Sequence, residues 1–232
     1  MNRPLKLNKR LTAAAEQVRP GAVAADIGTD HGYLACALVL SGRCRKVYAA
    51  DLNREPLERA EATIAAYGLK EAVIPLLSDG VQNLPAEEVT DFVIAGMGGD
   101  LIGSILMDER LYDPAKRFIL QPMTKADVLR RTLYRNGFAL TEESAVQDAR
   151  FVYSVMTAVY TGNKTEVDEW FARTGRLAMA PFLGDNRLYL LHELERVEKQ
   201  LAGLLRAEQS DRSRVEQLRA LRERFLKCLD LD

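Results

Sequence analysis

Between residues 21 and 160 the chain alternates short apolar, β-branched runs with helical stretches, and the way this alternation ends leaves few folds open. Residues 23–27, 46–52, 72–77, 91–95 and 117–120 read as strands, and residues 31–41, 54–67, 101–107 and 124–136 as helices. Gly42, Gly68 and Gly137 stand just past three of those helices, where a residue that takes the left-handed conformation freely makes a good stop. Repeated strand–helix units mean parallel crossovers and a sheet covered on both faces. Residues 138–146 and 151–160 are strand-like again, yet only residues 147–150 separate them. That gap fits a hairpin and has no room for a crossover helix, so the last two strands are expected to be antiparallel.

Five helix-linked strands closed by such a hairpin is the α/β layout of the class I, Rossmann-like methyltransferase sheet. A dinucleotide-binding half would continue with another helix-linked parallel strand. Length adds a second unit: 232 residues exceed one common domain and fall short of two, which points to a main domain over 1–160 and an appendage over 161–232. Thr161, Gly162 and Asn163 mark the boundary, residues 165–177 look helical and residues 181–186 form a loop. Leu191, Leu194, Val197, Leu201 and Leu204 then repeat at three-and-four spacing, the seam of one long helix. After a polar break at 209–213, Val215, Leu218, Phe225 and Leu229 continue that spacing, with Arg222 at the middle position and Leu221 beside it. The reading is a helical hairpin, an antiparallel coiled coil, serving either RNA contact or dimerisation; the protein is expected as a monomer, or a homodimer through this part.

Composition excludes several classes. A chain 47% hydrophobic and 28% charged buries a core and stays soluble, and no run approaches the roughly 20 apolar residues that span a bilayer. Basic residues near the N-terminus are followed by no apolar run, so no signal peptide is expected. Cys36, Cys44 and Cys228 have neither metal-ligand nor redox-pair spacing, which suits a reducing cytoplasm and predicts no metal site. A net charge of -1 argues against a nucleic-acid partner only as a sum. Residues 1–20 hold Arg3, Lys6, Lys9, Arg10 and Arg19 against Glu16, and residues 116–135 hold Lys116, Arg117, Lys125, Arg130, Arg131 and Arg135 against Asp127. These are either phosphate-gripping stripes or two solvated helix faces.

Ligands of a doubly wound sheet bind beyond the carboxyl ends of its strands. The first strand runs into Asp26, Gly28, Asp30 and His31, where glycine permits a tight turn and close backbone approach. Asp30 occupies the place of a dinucleotide fingerprint's second glycine and would repel a pyrophosphate; a sulfonium or ammonium suits it better, though it can also serve as a helix cap. The second strand ends at Asp51, Leu52 and Asn53, with Asp51 placed to accept both ribose hydroxyls or to cap the next helix. The third ends at Asp79 and Gly80, an acceptor for an adenine amine or a plain turn. Ala95, Gly96, Gly98 and Gly99 close the fourth, where close backbone approach by cofactor or target ring accounts for so much glycine. Gln121 closes the fifth and is either a base-edge partner or a satisfied loop amide. Together the three acids outline a site for a nucleoside without phosphate, S-adenosyl-L-methionine.

The segments ADIGTDHGYL (25–34), AADLN (49–53), SDG (78–80), IAGMGG (94–99) and ILQP (119–122) resemble the bacterial TrmK family. That resemblance implies a tRNA (adenine(22)-N1)-methyltransferase, with cofactor positions at Gly28, Asp51, Asn53, Asp79 and Gly80 and with Asp26 near the methionine part. The expected chemistry is direct methyl transfer to adenine N1, with Asp30, His31, Gly98 and Gln121 as the catalytic candidates. Leu52, Ala95 and Gly96 join the cofactor set. Lys9, Arg10, Arg130, Arg131 and Arg135 are the candidates for gripping tRNA, and His192 is read as structural. Two other classes remain: a nucleotide-dependent oxidoreductase, and a non-catalytic RNA-binding protein that retains a cofactor fold.

Overall fold

The computed structural model describes residues 5–207 and 211–231. Arg3 and the first two residues of the polar break placed at 209–213 lie outside the described residues. The first described element is a helix within the stretch read as either a phosphate grip or a solvated helix face, α1 (Lys9–Gln17), capped by Asn8, whose side chain accepts from Leu11 N at 2.9 Å. Then follow β1 (Ala22–Ile27), α2 (Tyr33–Leu40), β2 (Cys44–Asp51), α3 (Arg54–Ala66), β3 (Val73–Leu77), β4 (Asp91–Gly98), α4 (Gly99–Ile105), β5 (Arg117–Thr124) and α5 (Ala126–Arg135). The hairpin is β6 (Phe138–Asp148) and β7 (Phe151–Tyr160). Beyond it lie α6 (Glu169–Thr174), α7 (Asn186–Arg206) and α8 (Arg212–Cys228).

All seven strands form one sheet in the order β3-β2-β1-β4-β5-β7-β6. The pairs from β3 through β5 are parallel, and β7 runs antiparallel to both β5 and β6. The short gap at residues 147–150 therefore did decide strand direction. Alternate residues of β1 feed two cores: Val23, Ala25 and Ile27 pack toward α4 and α5, whereas Ala22 and Ala24 pack toward α1, α2 and α3. Burial on both faces explains why β1 is apolar throughout except at Asp26. Pro75 interrupts β3 without harm because β3 is an edge strand, where a missing N–H costs no ladder bond.

Past Tyr160 the helical part builds its own cluster from Leu190, Leu194, Val197, Leu218, Leu221, Phe225 and Leu229. Leu221, rather than its neighbour Arg222, takes the buried position, and Arg222 turns out to pair with Glu198 at 2.8 Å. Arg187 near the start of α7 donates to Leu229 O past the end of α8, so the two helices run antiparallel. Residues 165–177 do not form one helix. Gly175, at φ +55°, stops α6 after six residues, and a short 3-10 turn follows. Ala145 and Val152 of the β6–β7 hairpin pack against the helical cluster, which joins the two parts through apolar contact.

Candidate functional site

Strand order reverses between β1 and β4, whose neighbours lie on opposite sides. The connections from these two strands depart to opposite faces and leave a crevice at their carboxyl ends. A cavity of about 400 Å³ occupies that crevice, lined by residues of α1, the β1–α2 turn, α2 and the end of β4. Asp26, Gly28, Asp30, His31, Ala95 and Gly96 all line it, so six of the residues expected from the strand ends meet in one place.

The β1–α2 turn is built for close approach. Gly28 sits at φ +80°, and a Cβ there would run into the Met97 methyl group. Its N–H is tied to Ala50 O at 2.8 Å, which holds the turn against β2. Asp26 is buried beneath the turn and accepts from Thr29 Oγ1 at 2.9 Å. Burial pushes its carboxyl up from 3.8 to about 6; the Thr29 hydroxyl and the Ala35 N–H offset part of this, and the charge of Asp51 adds to it. A cation arriving beside Asp26 would favour the ionised form. Asp30 is exposed, accepts from Arg59 at 2.8 Å and lies 3.5 Å from His31 Nε2. It does not cap α2: the residue at that position is Gly32, in the left-handed conformation. His31 stacks on Tyr33 with ring centroids 5.1 Å apart, which puts a flat surface at the cavity wall.

Asp51 and Asn53 stand at the end of β2, and Asp51 Oδ1 accepts the Asn53 N–H at 2.8 Å. Leu52 between them is 61% exposed, an apolar side chain with no core to fill. Asp79 is exposed in the turn after β3, beside Gly80 at φ +55°. Gly98 serves as the backbone cap of α4. Asp51 and Asp79 stand at the ends of the adjacent strands β2 and β3, and neither they nor Leu52, Asn53, Gly80 and Gly98 are among the residues that line the cavity.

Three expectations are corrected. Gln121 is fully buried; its Oε1 accepts from Arg10 at 2.6 Å and Gly96 N at 3.2 Å, and its Nε2 donates to Pro122 O at 2.9 Å. Both ends of the amide are spoken for, so Gln121 supports the site and is not a base-edge partner. Arg10 does not face outward as a phosphate grip; it lines the cavity. Arg130 is also lost to the surface, with no side-chain exposure and an ion pair to Glu143 at 2.6 Å. Its neighbours are committed too. Arg131 donates to Val167 O at 3.0 Å, and exposed Arg135 pairs with Glu166 at 2.9 Å. Because α5 runs back from the end of β5, its ten residues carry Arg135 about 15 Å from the carboxyl edge. Lys116 and Arg117 lie at the amino end of β5, and Arg19 pairs with buried Asp91 at 2.6 Å at the start of β4. The two linear basic clusters are thus dispersed over the fold, while Lys9 remains exposed on α1 next to Arg10.

Asn8, Leu11, Thr29, Tyr33 and Leu34 also line the cavity and were missed. The signal for Asn8 and Leu11 was present: an Asn before an apolar stripe of Leu11, Ala14 and Val18 marks a capped helix. Among the described residues, no group of three or more His, Cys, Asp or Glu is arranged to hold a metal ion, and no helix is long and apolar enough to cross a membrane.

Residues 7–156 match the family described as "Methyltransferase domain". The chain is 32% identical over 184 residues to the tRNA (adenine(22)-N(1))-methyltransferase of Bacillus subtilis, covering 79% of this chain and 77% of that protein. The crystal structure of the B. subtilis m1A22 tRNA methyltransferase TrmK superimposes with a TM-score of 0.83 at 28% identity, over 98% of this chain and 100% of the other. A Streptococcus pneumoniae protein described as a putative tRNA (m1A22) methyltransferase, crystallised with S-adenosyl-L-methionine, gives a TM-score of 0.81 at 27% identity, over 97% and 100%.

Proposed function

The chain belongs to the TrmK family of tRNA (adenine(22)-N1)-methyltransferases, and from that premise we propose how its own residues carry the reaction. It is an S-adenosylmethionine-dependent enzyme that methylates N1 of an adenine in tRNA. The observation that carries the assignment of residues is the acid-lined cavity at the β1/β4 reversal, which lacks a phosphate-binding glycine pattern. S-Adenosylmethionine supplies a sulfonium-activated methyl group. Its cationic groups suit Asp26 and Asp30, and glycine at position 28 takes the positive φ of the turn and leaves room for the Met97 methyl group packed against it.

Asp51 holds the ribose hydroxyls, with Leu52 against the adenine face. Asp79 accepts from the adenine amine. Ala95 and Gly96 bring backbone against the methionine part, and Gly98 lies where the target ring approaches. Adenine N1 has an in-plane lone pair, so no strong base is needed; alignment of N1 with the methyl supplies the catalysis, worth up to roughly 10 kcal/mol. The N1–methyl bond forms as the methyl–sulfur bond breaks, and the positive charge passes from sulfur to the adenine. Asp30 stabilises that charge, and His31 stands beside it as a hydrogen-bond partner. N1 lies on the pairing edge, so the target base is turned out of its helix before reaction. Lys9, exposed on α1 beside Arg10, contacts the tRNA backbone. Residues 1–160 form the catalytic unit and 161–232 a helical unit, working in the cytoplasm as a monomer.

The test is transfer of a labelled methyl group to bulk tRNA, followed by nucleoside analysis. Label in N1-methyladenosine, lost when adenine 22 is replaced, is the expected result. Label in N6-methyladenosine would overturn the stated chemistry.

A further inference from the structure

We propose that Arg10 binds the carboxylate of the cofactor's methionine part, and that Gln121 is the positioning residue that aims it; this rests on the methyl-transfer reading above. The cavity wall holds two acids, Asp26 and Asp30, and among its described lining residues Arg10 is the one permanent cation. S-Adenosylmethionine carries a sulfonium and an ammonium, which the acids match, and also one carboxylate, which they would repel. An anion entering this crevice needs a compensating cation, and a guanidinium offers several N–H donors in a planar fork suited to a carboxylate.

The surroundings of Arg10 hold its half-buried side chain in the cavity. Gln121 is fully buried, and its Oε1 receives both Arg10 at 2.6 Å and the Gly96 N–H at 3.2 Å. One amide oxygen, 111 residues from Arg10 in sequence, thereby ties the α1 side chain to the end of β4. Nε2 donates to Pro122 O at 2.9 Å, which fixes which end of the amide faces Arg10. Gly96 leaves the room: a Cβ there would stand 3.3 Å from Arg10 Nη1. A guanidinium already held in place loses less freedom when its ligand arrives. Among the described residues Gln121 is the one hydrogen-bond partner of the Arg10 guanidinium; it engages an Nη1 donor and leaves the other N–H groups for the carboxylate.

The experiment measures binding of S-adenosylmethionine and of decarboxylated S-adenosylmethionine, which lacks only the carboxylate, by calorimetry, with tRNA affinity measured alongside. Wild type should prefer S-adenosylmethionine. Arg10→Gln should weaken it by about 10–100-fold, the range for a charge-assisted hydrogen bond, and change the decarboxylated ligand by less than about 3-fold. Gln121→Leu should reduce the same preference, and Gln121→Glu, which restores an acceptor oxygen, should recover it. Equal weakening of both ligands in Arg10→Gln would overturn the proposal in favour of a structural role. Loss of tRNA affinity with cofactor binding unchanged would overturn it in favour of a phosphate grip. If wild type bound neither cofactor, the methyl-transfer reading would fall first.

Discussion

Arg130 and Glu143 lie 2.6 Å apart with no solvent exposure on either side chain, and the pair joins the catalytic sheet to the helical part. Arg130 also donates to the Ala172 and Arg173 carbonyls at 2.7 and 3.0 Å and to the Tyr189 hydroxyl at 3.3 Å. Glu143 accepts from Ser154 Oγ at 2.6 Å and from the Arg176 N–H at 2.7 Å. Burial works against the guanidinium charge, and the neighbouring Glu143 carboxylate outweighs it and raises the Arg130 pKa. Gly175 closes over the pair: a Cβ there would strike both side chains.

Removing Arg130 strands a buried carboxylate, so Arg130→Ala should cost about 3–5 kcal/mol of unfolding free energy. Urea unfolding checks this as a lower midpoint. Arg135→Ala, on the exposed end of the same helix, should leave the midpoint where it was. Comparable losses in the two variants would refute the distinction.

Asp51 Oδ1 accepts the Asn53 N–H, which restrains the carboxylate at the end of β2. Asp51→Ala should weaken S-adenosylmethionine by about 10–100-fold, the loss of one or two charge-assisted hydrogen bonds. Calorimetry on the folded variant reads this directly, and unchanged affinity would place the ribose elsewhere.

Burial pushes the Asp26 carboxyl up to about 6 from an ordinary 3.8. For an acid shifted upward, folding favours the protonated form, so its contribution is greatest below pH 3.8 and is lost as pH rises through 6. A bound cation favours the carboxylate, so cofactor affinity should strengthen between pH 5 and about 7.5. Titrations across that window should show the rise in wild type and a flatter profile in Asp26→Asn.

Glu169 accepts from Arg214 at 2.6 and 2.8 Å and from Arg173 at 3.0 Å, and these cations hold its carboxyl near 2 against an ordinary 4.5. A downward shift contributes stability above pH 4.5 that disappears as pH falls toward 2. Thermal melts should show that loss, and Glu169→Gln should melt lower at neutral pH with a shallower acid slope. An acid slope as steep as wild type would assign the loss to other carboxylates.

How far sequence reading reached depends on how local each signal is. Strand–helix alternation and glycine stops placed nearly every element of the sheet within a few residues. The main misses have visible causes. The bounds of α1 were not marked because its cations fit a phosphate grip as well as a solvated helix face, and α6 is shorter than expected because Gly175 takes φ +55°. That Asp26, Gly28, Asp30 and Gly96 line one cavity was legible because a strand end can be read from its own few residues, and crevices of such a sheet lie at strand ends.

The sequence by itself determined the direction of the last two strands and the acids at the ends of the first three. A short loop and a strand terminus are both set by neighbours in the chain. Only the tertiary structure decided what became of the cations. Arg10 meets Gln121, Arg19 meets Asp91 and Arg130 meets Glu143, across 111, 72 and 13 residues respectively. A charge becomes a buried strut, a pocket wall or a free surface group according to the partner that folding brings to it. Those partners lie beyond the span of any local pattern.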